Sequence, residues 1–279
     1  MPRPSIGVLI LLAILLLALT PIAVTSTTYI IERIKGHSQT VEPVKELLPL
    51  PPHAPPGGWP HKGFTGTYDR AALQRGFQVY KQVCSVCHSL KLLSYRNLAD
   101  LGFSEAEVKA IAAEATVHDG PNDNGDMFDR PGRPSDFFVS PFPNDQAARA
   151  ANRGALPPDL SLIVKAREGN ENYLYSLLTG FGQTPPPTEV IMPGMNYNPY
   201  FAGHQIAMPP PLRDDAVTYA DGTQATTAQE AKDVVQFLAW AAEPKMEARK
   251  QTGLKVLIFL AVFAAVMYGV KKRVWSKLR

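Results

Sequence analysis

Apolar residues recur every three or four positions in several short stretches of the chain, and this spacing predicts amphipathic helices. Two of these stretches open with a capping box, a serine or threonine followed three residues later by a glutamate. No convincing run of strands separates them, so the expected fold class is mainly α, with four or five short helices around something other than a large apolar core. The predicted helices run over residues 69–83, from 104 to about 115, 144–152, from 173 to 180 and from 227 to about 243.

The longest apolar stretch near the C-terminus covers residues 253–270 and carries one charge, Lys255. As a helix its 18 residues span about 27 Å, close to the roughly 30 Å hydrocarbon core of a bilayer. The basic cluster from Lys271 to Arg273 follows at once and marks the cytoplasmic or matrix side. The sequence therefore predicts a C-terminal transmembrane helix over 253–270 and a basic cytoplasmic tail over 271–279. A buried core helix is the alternative.

The N-terminal part of the chain predicts two further regions. Residues 1–28 contain an apolar run after a basic start, and form either a cleaved secretory signal or a retained anchor. Residues 29–62 are rich in proline and predict an extended spacer. The folded domain is then expected over 63–250, interrupted by an exposed aspartate-rich loop at 119–136 and a proline-rich loop at 185–211.

Composition and charge narrow the class of protein. The chain has 26 prolines in 279 residues, close to twice the usual share of about 5%. Every acidic residue lies between Glu32 and Glu247, so the body is acidic although the whole chain carries a formal charge of +3. This distribution gives no indication of nucleic-acid binding. The two cysteines are too few for a disulfide-stapled secreted domain.

Both cysteines belong to the sequence Cys84-Ser85-Val86-Cys87-His88, which is the attachment motif of c-type haem. Two thiols at this spacing reach the two vinyl groups on one porphyrin edge, and the next residue, His88, can then ligate the iron. A thioredoxin-like redox pair is an alternative, but it needs a βαβ context that is not visible. A structural zinc site needs two more ligands at finger spacing, and the other histidines are scattered.

The sixth iron ligand is less certain from the residues alone. Many c-type cytochromes use methionine, and Met/His ligation raises the redox potential. A proline directly after the methionine fixes the backbone beside the ligand, and two positions satisfy this, Met192 and Met208. Spacing does not decide between them, although the stiffer triple proline after Met208 favours it.

Four stretches of the chain resemble the cytochrome c1 family, the haem c subunit of the cytochrome bc1 complex, in its alphaproteobacterial form. The resemblance covers roughly residues 63–279, and the basic-flanked C-terminal anchor also fits it. It implies a class I-like c-type cytochrome domain with long proline-rich loops around one covalent haem c and its iron. The matching stretches are RGFQVY at 75–80, CSVCHSL at 84–90, AANRGALPPDLS at 150–161 and PYFAGHQIAM at 199–208.

The same resemblance implies roles for individual residues. It implies Met208 as the sixth ligand, opposite His88. Arg167 is expected to meet a haem propionate, where a charge-assisted hydrogen bond would offset the cost of that carboxylate. Four further residues are expected to line the haem pocket: Asn152, Pro157, Pro158 and Tyr173.

The expected function is electron transfer without substrate chemistry. By resemblance, the chain accepts one electron from the Rieske iron–sulfur protein and reduces a soluble c-type cytochrome, in a complex with cytochrome b. The haem domain is expected in the periplasm, held to the inner membrane by a single C-terminal anchor. Acidic residues of the body are expected to steer a basic soluble cytochrome.

Two other functions are alternatives. One is a free-standing, membrane-anchored monohaem electron shuttle, with which the long proline-rich spacer is compatible. The other is a haem-based sensor, which needs an open or weakly ligated iron. The sequence contains no nucleophile–base pair and no phosphate-binding loop that would indicate an enzyme acting alone.

Overall fold

A computed structural model of the chain describes residues 48–187 and 189–277. The predicted signal or anchor at 1–28, and most of the predicted spacer, lie outside the described residues. The body is mainly helical, as predicted. Its α-helices are α1 (Arg70–Gln82), α2 (Glu105–Ala113), α3 (Asp145–Ala151), α4 (Ile163–Ala166), α5 (Asn170–Thr179), α6 (Thr227–Ala242) and α7 (Met246–Trp275), and its 3₁₀ helices are Cys84–Val86 and Tyr95–Leu101.

Helices α1 and α6 pack against each other and form the centre of the body. They approach closely at Gly76, where an added Cβ would lie 2.1 Å from the carbonyl oxygen of Asp233. Beside this contact the ring of Phe237 lies 5.7 Å from that of Phe77 and 5.6 Å from that of Tyr80. A continuous apolar core surrounds these rings, so the expectation that something other than a large apolar core holds the body together was wrong.

A buried ion pair crosses the same helix interface. The Arg75 guanidinium binds both carboxylate oxygens of Asp233, at 2.8 and 3.1 Å, and it also reaches Asp221 at 2.8 Å. Asp233 is completely buried, whereas Asp221 is 43% exposed. A paired guanidinium offsets the large cost of burying a carboxylate, so α1 and α6 depend on each other for more than apolar contact.

Three of the four predicted capping signals located a helix start correctly. The Asp69 side chain accepts hydrogen bonds from the backbone at the start of α1, and Ser104 forms the predicted capping box at α2. Asn144 caps α3 as predicted. The prediction for α6 was wrong by one residue, because Thr226 and not Thr227 is its N-cap. The carboxylate of Glu230 accepts instead from the Val217 backbone N–H inside the body.

Two short antiparallel hairpins were not predicted. Strands β1 (Thr116–Asp119) and β2 (Phe128–Pro131) form the base of the aspartate-rich loop. Strands β3 (Asn196–Tyr197) and β4 (Gln205–Ile206) lie in the second long loop. Arg130 on β2 binds Asp119 and Asp136 and so holds the first hairpin together. Residues 120–129 of the loop are exposed, as predicted.

The end of the predicted spacer belongs to the folded body, so the structured part of the body begins before residue 63. The side chain of Ser176 on α5 accepts a hydrogen bond from the His53 backbone N–H at 2.8 Å. The indole N–H of Trp59 donates to Asn172 at 2.7 Å. Trp59 and His61 are both buried. The aromatic residues at the end of this segment pack on α5 instead of remaining in solvent.

Helix α7 contains the predicted membrane-spanning segment. It is long and apolar enough to cross a bilayer, and its apolar segment is exposed along its whole length. This exposure excludes a core helix. The helix is longer than the predicted 253–270 because its polar first turns and the basic residues after Val270 are also helical.

Candidate haem site

The attachment motif forms a tight turn directly after α1. Cys84 begins a short 3₁₀ helix, and its carbonyl oxygen accepts from the backbone N–H groups of Cys87 and His88, at 3.2 and 2.9 Å. Both cysteines are free thiols. The helix end and the turn therefore hold two thiols and an imidazole within five consecutive residues, as attachment to one porphyrin edge requires.

The environment of the thiols disfavours the redox and zinc alternatives. Burial, assisted by the neighbouring Cys87, raises the pKa of the Cys84 thiol to about 12. Reactive cysteine pairs have lowered pKa values instead, because the thiolate is the nucleophile. Among residues 48–187 and 189–277, no three His, Cys, Asp or Glu side chains are grouped to hold a metal ion.

The imidazole of His88 is oriented for ligation. Its Nδ1 lies 2.8 Å from the carbonyl oxygen of Pro158, which can only accept, so Nδ1 carries the proton. Nε2 then keeps its lone pair for a metal, the arrangement usual for ligating histidines. Burial lowers the pKa of His88, more than the hydrogen bond to Pro158 raises it, and this favours the neutral form that binds iron.

A partly buried carboxylate, that of Asp159, fixes the segment that carries His88 against the loop that carries Pro158. Asp159 accepts from the hydroxyl of Ser89 at 2.8 Å and from the backbone N–H of Lys91 at 2.9 Å. Burial raises the pKa of Asp159, but the hydrogen bonds from Ser161, Lys91 and Ser89 outweigh it and hold the pKa below its usual value. Sequence reasoning did not single out Asp159.

Large apolar side chains are exposed on the segments that flank the motif. Exposed apolar patches of this kind mark ligand or partner surfaces. The backbone of Leu92 is bonded to the side chain of Ser161, and that of Leu93 to Phe138, so these segments converge near the turn. A porphyrin ring would cover such side chains, and the site therefore fits a covalent haem. The exposed residues are Val86, Leu92, Phe137, Val139, Leu156 and Leu162.

The two candidate methionines differ in their surroundings. Met208 is partly buried, and its carbonyl oxygen accepts from the Asn196 side chain of β3 at 3.2 Å. Met192 is 57% exposed. Its backbone N–H donates to the side chain of Gln205 on β4. The hairpin thus holds the backbone of both, but only Met208 has the partial burial expected of an iron ligand.

The other predicted pocket residues differ in their exposure and in their hydrogen-bond partners. The Arg167 side chain is exposed and its only hydrogen bond within the described part of the chain goes to the carbonyl of Ala166, so no carboxylate there occupies it. Burial raises the pKa of the nearby Tyr173, which the positive charge of Arg167 partly opposes. The Asn152 amide donates to the Ala148 carbonyl and caps α3. Pro157 is partly buried and precedes the residue that binds His88.

The fold and the site together define a class of protein, a c-type cytochrome with a C-terminal membrane anchor. The chain matches the Cytochrome C1 family over residues 59–278, and it belongs to that family. Proteins of this family carry a covalently bound haem c with its iron, so the predicted cofactor is confirmed. They are haem-carrying electron-transfer subunits of the cytochrome bc1 complex.

Named relatives agree with this assignment. The chain is 52% identical over 236 residues to "Cytochrome c1" of Rhodospirillum rubrum, covering 79% of this chain and 87% of that protein. It is 54% identical over 223 residues to "Cytochrome c1-2, heme protein, mitochondrial" of Solanum tuberosum, covering 79% and 85%. It is 52% identical over 244 residues to "Cytochrome b/c1" of Bradyrhizobium diazoefficiens, covering 80% of this chain but 36% of that longer protein.

Proposed function

We propose that this chain relays single electrons from the Rieske iron–sulfur protein to a soluble c-type cytochrome within a cytochrome bc1 complex. The observation that supports it most is the Cys84–His88 turn, whose imidazole already donates to Pro158 and presents Nε2 as a ligand. Cys84 and Cys87 would hold the haem by thioether bonds, and His88 and Met208 would ligate its iron. The iron, when bound, supplies one-electron redox chemistry.

The chain's own residues prepare this site for electron transfer alone. His88 is held by Pro158, and the backbone of Met208 is held by the β3–β4 hairpin, so two protein ligands would be available to the iron. An iron ligated by both would have no position open for oxygen or a substrate. One electron would pass from the iron–sulfur protein to the haem that these residues hold, and from there to a soluble cytochrome.

Arg167 and the pocket residues have supporting roles in this proposal. The exposed guanidinium of Arg167 is available to a propionate. Tyr173 lies close enough to Arg167 for the positive charge to lower the pKa of its phenol, against the larger effect of burial. Pro157 and Pro158 would shape the histidine side of the pocket. Asn152 would act by ending α3 so that the following loop can turn towards the motif.

The side of the membrane on which the haem domain lies follows from the orientation of the anchor helix. The basic residues at the end of α7 favour the cytoplasmic side of the inner membrane. The haem domain then lies in the periplasm, with residues 253–270 spanning the bilayer beside cytochrome b and residues 271–279 in the cytoplasm. Residues 1–28 would act as the export signal or a second anchor, and the first part of 29–62 as a spacer.

Redox difference spectroscopy tests the proposal. The chain is purified in mild detergent by a tag, and ascorbate-reduced and dithionite-reduced spectra are compared. A c-type band with ascorbate, and b-type haem appearing only with dithionite at about two per haem c, is the expected result. A c-type band without b-type haem in every mild detergent contradicts membership of such a complex and favours the free-standing shuttle.

A further inference from the structure

A cleft separate from the haem site lies where the body meets α7. It has a volume of about 240 Å³ and is lined by residues of the segments 61–68, 164–171 and 239–250. Drug-sized ligands occupy pockets of about 300–1,000 Å³, so this cleft fits a small polar group. Every residue of α7 from Gln251 onward is exposed. The cleft is therefore at the end of the body from which the anchor leaves.

The cleft is positively charged. Four cations line it against two carboxylates, which leaves a net charge of +2 with histidine neutral. Lys250 donates to two backbone carbonyls, both at 2.7 Å, and an ammonium has a third N–H to offer. Arg249 binds Glu243 through Nε, and four further N–H groups belong to its guanidinium. The charged lining residues are Lys62, Lys165, Arg249, Lys250, Glu171 and Glu243.

A buried polar atom in the cleft lacks a partner. The His61 ring is 3% exposed, and its Nε2 lies 3.1 Å from a carboxylate oxygen of Glu171. The carboxylate accepts, so Nε2 carries a proton. Nδ1 is buried and has no hydrogen-bond partner among the described residues. Such atoms are rare, because leaving one unpaired costs free energy. Nδ1 is also shielded from solvent, so a ligand in the cleft meets the cations and not this atom.

The position of the cleft along the anchor helix indicates which kind of molecule supplies the anionic group that it binds. Lys250 and Arg249 precede Gly253, the first residue of the apolar span, by three and four residues. At 1.5 Å per residue they lie about 4.5 and 6 Å outside the hydrocarbon. The headgroup layer is about 5–7 Å deep on each side of a bilayer. The cations of the cleft are thus level with the phosphates of the lipids.

We infer that this cleft binds the headgroup of an anionic phospholipid. The phosphate meets Arg249, Lys250 and Lys165, of which Arg249 and Lys165 also pair with Glu243. Each cation close to an anionic lipid contributes about 1 kcal/mol, which is about fivefold in affinity. Loss of two cations from the cleft is then expected to weaken binding about 25-fold.

The test uses the haem-loaded complex in mild detergent, with bound lipid counted by native mass spectrometry. Dioctanoyl phosphatidylglycerol is titrated into the wild type and into the variant K165Q/R249Q. The control K109Q/K245Q removes the same charge from exposed residues outside the cleft. The expected result is one lipid site that weakens about 25-fold in the cleft variant and by less than twofold in the control.

Three further measurements keep the inference falsifiable. Dioctanoyl phosphatidylcholine and inorganic phosphate are titrated in parallel, and equal occupation of the site by either one overturns the assignment to an anionic lipid. The charge-keeping variant K165R/R249K is expected to bind within about threefold of wild type, and a loss as large as that of K165Q/R249Q overturns the role of charge. An unchanged haem spectrum in every variant shows that the body is folded.

Discussion

The close contact at Gly76 makes a specific prediction about stability. In the variant Gly76→Ala, the new Cβ would lie 2.1 Å from the carbonyl oxygen of Asp233 and 2.8 Å from Cβ of Phe237. Neither atom is the flexible end of a side chain, so α1 and α6 must separate by about 1 Å. In the absence of this clash, replacing glycine by alanine would stabilise the helix by about 1 kcal/mol. The free-energy cost of the clash should exceed that gain.

The expected magnitude follows from overpacking and from the ion pair at the same place. Overpacking a core costs about 1–3 kcal/mol, and separation of the helices also loosens the Arg75–Asp233 pair. We expect a net loss of about 2–3 kcal/mol in the free energy of unfolding. For a domain of this size this lowers Tm by about 5–10 °C.

The assay is thermal unfolding of the haem-loaded protein in detergent, followed by far-UV circular dichroism. The control is Gly253→Ala, since no atom lies within 4 Å of the Cβ that this change adds to α7. A Tm for Gly76→Ala within 1 °C of both wild type and control would refute the reasoning, because it would show that the two helices do not touch at this residue.

Three further predictions concern the proposed iron ligand Met208 and two buried carboxylates. Met208→Leu should lower the haem midpoint potential by on the order of 100 mV or more, because methionine ligation raises it, whereas Met192→Leu should leave it unchanged in a redox titration. Asp233→Asn should cost about 3–5 kcal/mol by breaking a buried pair, and the exposed partner change Asp221→Asn less than about 1 kcal/mol; equal Tm shifts would contradict this. Burial raises the pKa of Glu230 above its usual 4.5, so its contribution to stability is present below pH 4.5 and is lost as the pH rises through the folded-state value. Glu230→Gln should therefore flatten the fall of Tm above pH 4.5, and an unchanged pH profile would count against it.

The helices were predictable because their signals are local. Asp69, Ser104 and Asn144 cap the backbone two or three residues away, so the sequence alone shows where α1, α2 and α3 begin. The start of α6 was misplaced because two adjacent threonines offer the same pattern. The choice depends on a distant contact, since Glu230 is used by Val217 and is not available for a capping box.

The packing of the proline-rich segment was not predictable in this way. The bonds from His53 to Ser176 and from Trp59 to Asn172 join residues more than 100 positions apart. Proline content predicts an extended backbone, but it does not show which surface that backbone covers. The hairpin at Thr116–Pro131 depends similarly on ion pairs made by Arg130, which a pattern of aspartates does not reveal.

The residues of the haem site also differ in whether the sequence alone could predict their roles. Cys84, Cys87 and His88 follow from a contiguous motif. The contact of Pro158 with His88 and the bonds of Asp159 to Ser89 depend on the folding back of a loop about 70 residues away. Resemblance indicated Pro158 as a pocket residue, but the orientation of the imidazole by its carbonyl required the structure.

The first turns of α7 are fastened to the body and do not form a swivel. Glu247 binds Arg70 and the backbone of Tyr68, while Lys250 bridges the carbonyls of His61 and Gly66. Any swing of the body about its anchor would have to break these contacts together. A change in the distance from the Cys84–His88 turn to the anchor helix would therefore require this end of the body to open.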